Sequence, residues 1–152
     1  MTTHALKLLH LLNGTLLLGT LISSYLVVLY AGRQQSACLF TSLIRSTFIF
    51  DIVVLLTLLA QLLTGSLLVH PRHYDFNTPW ITAAYILLTV VVSLWILTIF
   101  TRINHYRRVA HNNFVSTPKR LHIYYALILI AVILIIHDAV TKYTFLFGFP
   151  ES

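Results

Sequence analysis

Four ionisable side chains stand inside long apolar runs of the sequence, where charge is costly and a function is the default hypothesis. They are His10, Asp51, His137 and Asp138. Neutral imidazole is a common ligand of haem iron. His10 lies near the start of the first run and His137 near the end of the last, so both are expected at similar depths below the same membrane surface, where both rings could reach one flat cofactor. The pair predicts a haem b held between helices, and plain hydrogen bonding to neighbouring helices is the alternative.

Each of the two carboxylates has a basic residue near it in the sequence. Asp138 precedes Lys142 by four residues, a spacing that brings an acid and a base together on a helix. Asp51 follows Arg45, which we expect to bridge to it at a helix entrance where the dipole also favours a carboxylate. Ion pairing that makes the charges tolerable is one interpretation. A proton or cation relay beside His137 and a proton-entry site at Asp51 are the functional alternatives.

Further basic and imidazole side chains are expected on the same side of the membrane as His10. Three cations could neutralise haem propionates: Lys7, Arg72 and Lys142. His70 and His73 have a spacing that two metal ligands can use. Removal of the initiator methionine would place a free amine near His4, a donor set that suits Cu(II). The sequence therefore also allows a copper or zinc site.

The composition places these residues in a lipid bilayer. Of 152 residues, 58% are hydrophobic and 9% are charged, against roughly 25% charged in soluble domains. A soluble fold of this size cannot bury so much apolar surface. Four runs are long enough to cross a bilayer, which needs ~20 residues. They predict one transmembrane domain over residues 1–152 with spans at about 6–30, 48–69, 80–101 and 121–145. Cys38 is the single cysteine, so no intrachain disulfide can form.

Short connections between the spans predict an all-α, up-down-up-down four-helix bundle. Seven of the ten lysines and arginines lie on the side reached after the first and third spans. Because basic loops stay in the cytoplasm, both termini are predicted on the periplasmic side of a bacterial inner (cytoplasmic) membrane. The basic loop after Arg102 is expected to meet anionic lipid head groups rather than nucleic acid.

Polar side chains recur on one face of the first three spans. The three sets are His10, Asn13, Thr20 and Ser24, then Thr57, Gln61 and Thr64, then Thr82, Tyr85, Thr89 and Ser93. Polar groups in lipid turn toward other helices, so these faces are predicted to form the bundle interior, either as helix–helix contacts or as the lining of a ligand cavity. The chain has no glycine-rich phosphate loop and no nucleophile elbow, which argues against nucleotide binding and hydrolysis.

Several short motifs follow one another in a recognisable order. They are Lys7-Leu8-Leu9-His10, Arg45 with Asp51, Gln61-Leu62-Leu63-Thr64-Gly65, Pro79-Trp80, Trp95, Arg102 with Arg107 and Arg108, and Ala139-Val140-Thr141-Lys142. In this order they resemble, over most of the chain, a family of uncharacterised bacterial four-span integral membrane proteins. That family is distantly similar to HemJ-type protoporphyrinogen oxidases and CopD-type copper proteins. HemJ-type proteins begin with a Lys-x-x-His helix whose histidine is linked to haem b, so the resemblance implies His10 as a haem ligand.

Three hypotheses for function follow. The first is a haem b redox protein that passes electrons between a quinone and a partner outside the membrane, with enzymatic activity left open. The second is a non-catalytic accessory or scaffold subunit, in a larger membrane complex or a homo-oligomer. The third is copper handling on the periplasmic side.

Overall fold

The structure, a computed structural model, describes residues 3–34, 36–69, 77–112 and 117–141. These ranges hold four helices: α1 (Thr3–Ala31), α2 (Ala37–Val69), α3 (Pro79–Asn112) and α4 (Lys119–Thr141). No strand occurs in them. All four helices are long and apolar enough to cross a membrane. The predicted all-α architecture with four spans is therefore confirmed.

Helices α2 and α3 extend well beyond the predicted spans at one end. The predicted limits followed the loss of apolar side chains, but neither extension contains the proline or glycine that would end a helix. Hydroxyl side chains in the extension of α2 bond their own backbone, as Ser46 does to the carbonyl of Leu43 at 2.7 Å. The predicted start of α3 is confirmed at Pro79, and the carbonyl of Thr78 accepts from the backbone N–H of Thr82 at 3.0 Å.

The helices pack as two antiparallel hairpins, α1 with α2 and α3 with α4, which contact each other at fewer positions. We call the end where α1 begins and α2 finishes the His10 end, and the opposite end the Arg102 end. An apolar layer fills the middle of the bundle: Leu17, Leu21, Val54, Leu58, Leu87, Val91, Ile128 and Val132. Large apolar side chains such as Leu16, Leu59 and Ile133 are exposed on the outside, as a lipid environment requires.

Candidate functional site

His10 packs against α2, where both of its ring nitrogens have partners. Its Nδ1 lies 2.8 Å from Thr64 Oγ1, and its Nε2 lies 3.1 Å from Gln61 Nε2. Gln61 and Thr64 are three residues apart, so they share one face of α2. The antiparallel pairing of α1 with α2 places that face beside His10.

The partners of His10 determine which nitrogen carries its hydrogen. Thr64 Oγ1 donates its hydrogen to the carbonyl of Ala60 at 2.7 Å, so toward His10 it accepts, and Nδ1–H is the donor. At the other nitrogen, the Gln61 amide nitrogen can only donate a hydrogen bond, so His10 Nε2 is the acceptor. Both bonds indicate a neutral imidazole protonated on Nδ1.

Asn13 orients the Gln61 amide. Its Nδ2 donates to Gln61 Oε1 at 2.8 Å and to the carbonyl of Thr57 at 2.7 Å. The oxygen of Gln61 therefore faces Asn13, and its nitrogen faces His10. We call Asn13, Gln61, His10 and Thr64 the His10 network. Within it, one series of hydrogen bonds runs in a single direction, from Asn13 through Gln61 and His10 to Thr64, which donates to the carbonyl of Ala60.

Two glycines allow α1 and α2 to approach closely at this network. A Cβ at Gly65 of α2 would lie 3.3 Å from His10 Cε1, closer than side chains normally sit. A Cβ at Gly14 of α1 would lie 3.5 Å from Gln61 Nε2, an ordinary contact distance. Gly65 therefore matters more, because its missing side chain makes room for the imidazole ring.

The His10 network borders a half-enclosed cavity of about 230 Å³ to which all four helices contribute. Helix α1 contributes Lys7 and His10, and α2 contributes Gln61. The remaining lining is mainly apolar or aromatic: Leu11, Leu62, Gly65, Leu68, Val69, Trp80, Ile81, Ala84, Tyr85, Leu88, Ile135 and Ala139. Few polar groups on an apolar wall are typical of small-molecule sites. This arrangement fits the second interpretation of the polar helix faces, in which they line a ligand cavity.

His137 does not line this cavity, although α4 contributes Ile135 and Ala139 to it. Two residues correspond to ~200° around a helix, so His137 lies on the far side of α4 from both. Its side chain is 43% exposed, and its Nδ1 lies 3.2 Å from Oδ1 of the fully buried Asp138. The partner of His137 is thus Asp138, whereas the partners of His10 are on α2. Pairing of the two imidazoles on one haem stays a prediction.

Asp51 lies in the half of the bundle toward the Arg102 end, and its partner is Arg102 rather than Arg45. Arg102 Nη2 lies 2.5 Å from Asp51 Oδ1, which also accepts from Trp95 Nε1 at 3.2 Å. Arg45 is exposed. Because α2 begins at Ala37, Asp51 lies in mid-helix, away from the dipole end, and residues six apart on one helix point in different directions.

The Arg102 side chain is fully buried among groups from two helices. Its Nη1 donates to Thr47 Oγ1, and its Cζ lies 5.7 Å from the centre of the Phe48 ring. We call Thr47, Asp51, Trp95 and Arg102 the arginine cluster. From the sequence, Arg102 is predicted as a loop charge and as part of a family motif, but not as the partner of Asp51. Two features of the sequence could have indicated the pair. Asp51 needs a counter-ion inside an apolar run, and Asp51 and Arg102 are both many residues away from the α2–α3 connection, so they lie at similar depth.

The polar faces reach the interior only in part. Thr57 and Thr64 are buried, and Ser24 Oγ lies 2.8 Å from the hydroxyl of Tyr125 across the α1–α4 contact. Thr89 and Ser93 are exposed instead, and each bonds the carbonyl four residues earlier at 2.9 Å. A hydroxyl satisfied by its own helix can face lipid, so the prediction for these two was wrong.

Several predicted site residues lie outside the described part of the chain: His70, Arg72, His73 and Lys142. The copper site and the Asp138–Lys142 pair therefore stay predictions. His4 is described and exposed. Among the described residues, no three histidines, cysteines or carboxylates are grouped so that they could hold a metal ion.

Comparison with known families finds a match to the family described as predicted integral membrane protein (DUF2269), over residues 4–146. Comparison with curated proteins and with solved structures finds none. Similarity to HemJ-type and CopD-type proteins stays a prediction.

Proposed function

The chain belongs to the DUF2269 family of predicted integral membrane proteins, and on this premise we propose that it binds a small apolar molecule supplied by the bilayer. The polar end of that molecule meets the His10 network, and its apolar body fills the cavity. The family places the chain in a membrane without assigning an activity. The proposal therefore rests on the site.

The observation that carries the proposal is the position of the His10 network at the edge of a cavity. Side chains that only hold two helices together lie in the contact between them. Gln61 and His10 do bridge α1 and α2, but they also line a space completed by α3 and α4. A few directed polar groups on an apolar wall both orient a ligand and select it.

The size of the cavity favours a compact head group. Its volume of about 230 Å³ is below the ~300–1,000 Å³ of pockets that enclose drug-sized ligands. Because the cavity is only half-enclosed, a longer apolar chain can leave it toward the lipid. This shape suits a membrane-soluble molecule with one ring-sized end.

The test is to extract the purified protein with organic solvent and to identify bound molecules by mass spectrometry. Ala84 lines the cavity, so Ala84→Phe fills it, whereas Ala126→Phe adds the same ring on an exposed face of α4. We expect one compound that wild type and Ala126→Phe retain and Ala84→Phe loses. Equal amounts of every compound in all three proteins would contradict the proposal.

Haem b is a second candidate occupant, and the bond between His10 and Thr64 supports it. Histidines that bind metals usually donate their other ring N–H to a second group, and Thr64 accepts in that way at 2.8 Å. Nε2 would then be the iron ligand once the Gln61 amide moved aside, and Lys7 at the rim could neutralise a propionate. Bound haem would supply electron transfer. A macrocycle requires more space than the cavity has, which ranks this candidate second.

An optical spectrum of the same preparation tests the haem candidate. A Soret band that His10→Ala abolishes and His4→Ala leaves unchanged would support haem, and His137→Ala would show whether His137 is a second ligand. A colourless protein supplied with haem during expression would contradict it. If in addition no compound depended on Ala84, an accessory subunit would be the better account.

A further inference from the structure

The polar groups of the His10 network differ in how many of their hydrogens already take part in hydrogen bonds. His10 uses both ring nitrogens, and Asn13 Nδ2 donates both of its hydrogens. Gln61 Nε2 carries two hydrogens and gives one to His10. Its second hydrogen is therefore the donor that the network offers to a ligand.

Lys7 provides a second donor at the rim of the same cavity. It lies one helical turn from His10 on the same face of α1, toward the His10 end of the bundle. Its ammonium group has three hydrogens and no acceptor. The cavity thus presents one donor, Gln61, beside His10 and a second, Lys7, on the residue that lies one turn, ~4.5 Å of helical rise, from His10 along α1.

The other walls of the cavity are aromatic and aliphatic. Trp80 and Tyr85 of α3 line them. Ser66 Oγ donates to the carbonyl of Leu62 at 2.8 Å, so the Tyr85 hydroxyl, 2.8 Å from Ser66 Oγ, donates to it. With that hydrogen committed, Tyr85 contributes mainly its ring surface, and aromatic surfaces favour a flat ring.

Given the proposed function, we infer that the ligand is a quinone with an apolar chain. One carbonyl oxygen accepts from the second hydrogen of Gln61, and the carbonyl on the opposite edge of the ring accepts from Lys7. The ring packs beside Trp80, and the chain leaves through the open side. A fatty acid carries both of its acceptor oxygens on one carbon and has no ring to pack against the aromatic wall, whereas a quinone carries them on opposite edges of a flat ring.

Tryptophan fluorescence can test this inference, because the chain has two tryptophans and one of them lines the cavity. In a Trp95→Phe protein only Trp80 remains, and a short-chain quinone should quench it with a saturating curve. In a Trp80→Phe protein only Trp95 of the arginine cluster remains, and quenching should stay weak and linear. Equal curves for the two proteins would overturn the inference.

Variants of the two donors refine the test in the Trp95→Phe background. We expect Gln61→Leu to raise the Kd about fivefold to tenfold, the value of one hydrogen bond, and Lys7→Met to raise it in the same direction. Gln34→Leu and Lys119→Met change the same residue types at the Arg102 end and should leave the Kd unchanged. If neither Gln61→Leu nor Lys7→Met changed the Kd, the inference would be overturned.

The extraction experiment separates failure of this inference from failure of the proposed function. A retained compound that depends on Ala84 and proves to be a fatty acid or haem, with no saturable quinone quenching, overturns the quinone inference alone. Absence of any such compound together with absence of quenching overturns both. A quinone in the wild-type extract that Ala84→Phe loses supports both.

Discussion

The buried charge pair of Asp51 and Arg102 shows how single residues shape this bundle. Moving either charge into an apolar interior alone would be very costly. Here each group finds hydrogen bonds as well as the opposite charge, because Thr47 and Trp95 complete the arginine cluster. The pair also links α2 to α3, where the two hairpins otherwise have few contacts.

At the residue scale, Asp51→Asn should destabilise the protein strongly, because it leaves the Arg102 guanidinium buried without a counter-ion. We expect the free energy of unfolding in detergent to fall by about 3–5 kcal/mol. Replacing both charges with apolar residues, as in Asp51→Leu/Arg102→Met, should recover much of that loss. Arg45→Gln is the control, since an exposed side chain contributes little. An Asp51→Asn protein as stable as wild type would contradict this account of the pair.

Helix rotation explains why the charge pair could not be predicted from sequence. Composition and spacing identify Asp51 as needing a partner, but they do not decide between Arg45 on the same helix and Arg102 on another. Which of them faces Asp51 depends on how α2 and α3 turn about their axes, and packing sets that rotation. The four spans themselves were predictable, because a run of ~20 apolar residues is long enough to cross a bilayer as a helix and is rarely found in other structures.

At the element scale, the close approach of α1 and α2 depends on Gly65. A leucine there would push against the His10 ring, since even a Cβ would lie 3.3 Å from it. We expect Gly65→Leu to lower the free energy of unfolding by about 1–3 kcal/mol and to weaken ligand retention.

Gly19 provides the matched control on the same hairpin. A Cβ at Gly19 would meet nothing within 4 Å, so Gly19→Leu should leave stability and ligand retention close to those of wild type. Thermal unfolding of both variants in one detergent makes the comparison. Equal destabilisation by the two leucines would mean that the tight α1–α2 contact at His10 is unimportant.

The elements also explain which parts of the site the sequence could reveal. Asn13, Gln61 and Thr64 were predictable as polar positions on inward faces. Their joint contact with His10 was not, because the sequence does not specify the offset at which α1 and α2 pair. Thr89 and Ser93 were misassigned for a local reason: their hydroxyls bond their own helix and need no neighbour.

Among the described residues of the whole molecule, exposed positive charge is concentrated at the Arg102 end. Arg102 is buried against Asp51, and six exposed cations remain at the same end: Arg33, Arg45, Arg107, Arg108, Lys119 and Arg120. Among the described residues both carboxylates, Asp51 and Asp138, are buried. An excess of lysine and arginine in short loops is what keeps those loops in the cytoplasm, so the Arg102 end is predicted to lie on the cytoplasmic side.

At this scale, Cys38 tests the predicted orientation, because it is exposed and lies at the Arg102 end. A membrane-impermeant maleimide should label it in inverted membrane vesicles and leave it unlabelled in intact spheroplasts. The Cys38→Ser/His4→Cys protein moves the thiol to the His10 end and should show the opposite pattern. Labelling of Cys38 from outside intact cells would reverse the orientation.

Native mass spectrometry of the intact protein shows whether the cavity beside His10 holds one small molecule. We expect wild-type protein, released gently from detergent, to appear as the chain plus a single additional mass, and Ala84→Phe to appear as the chain alone. A wild-type spectrum that shows only the bare chain, or the same added masses as Ala84→Phe, would contradict the claim.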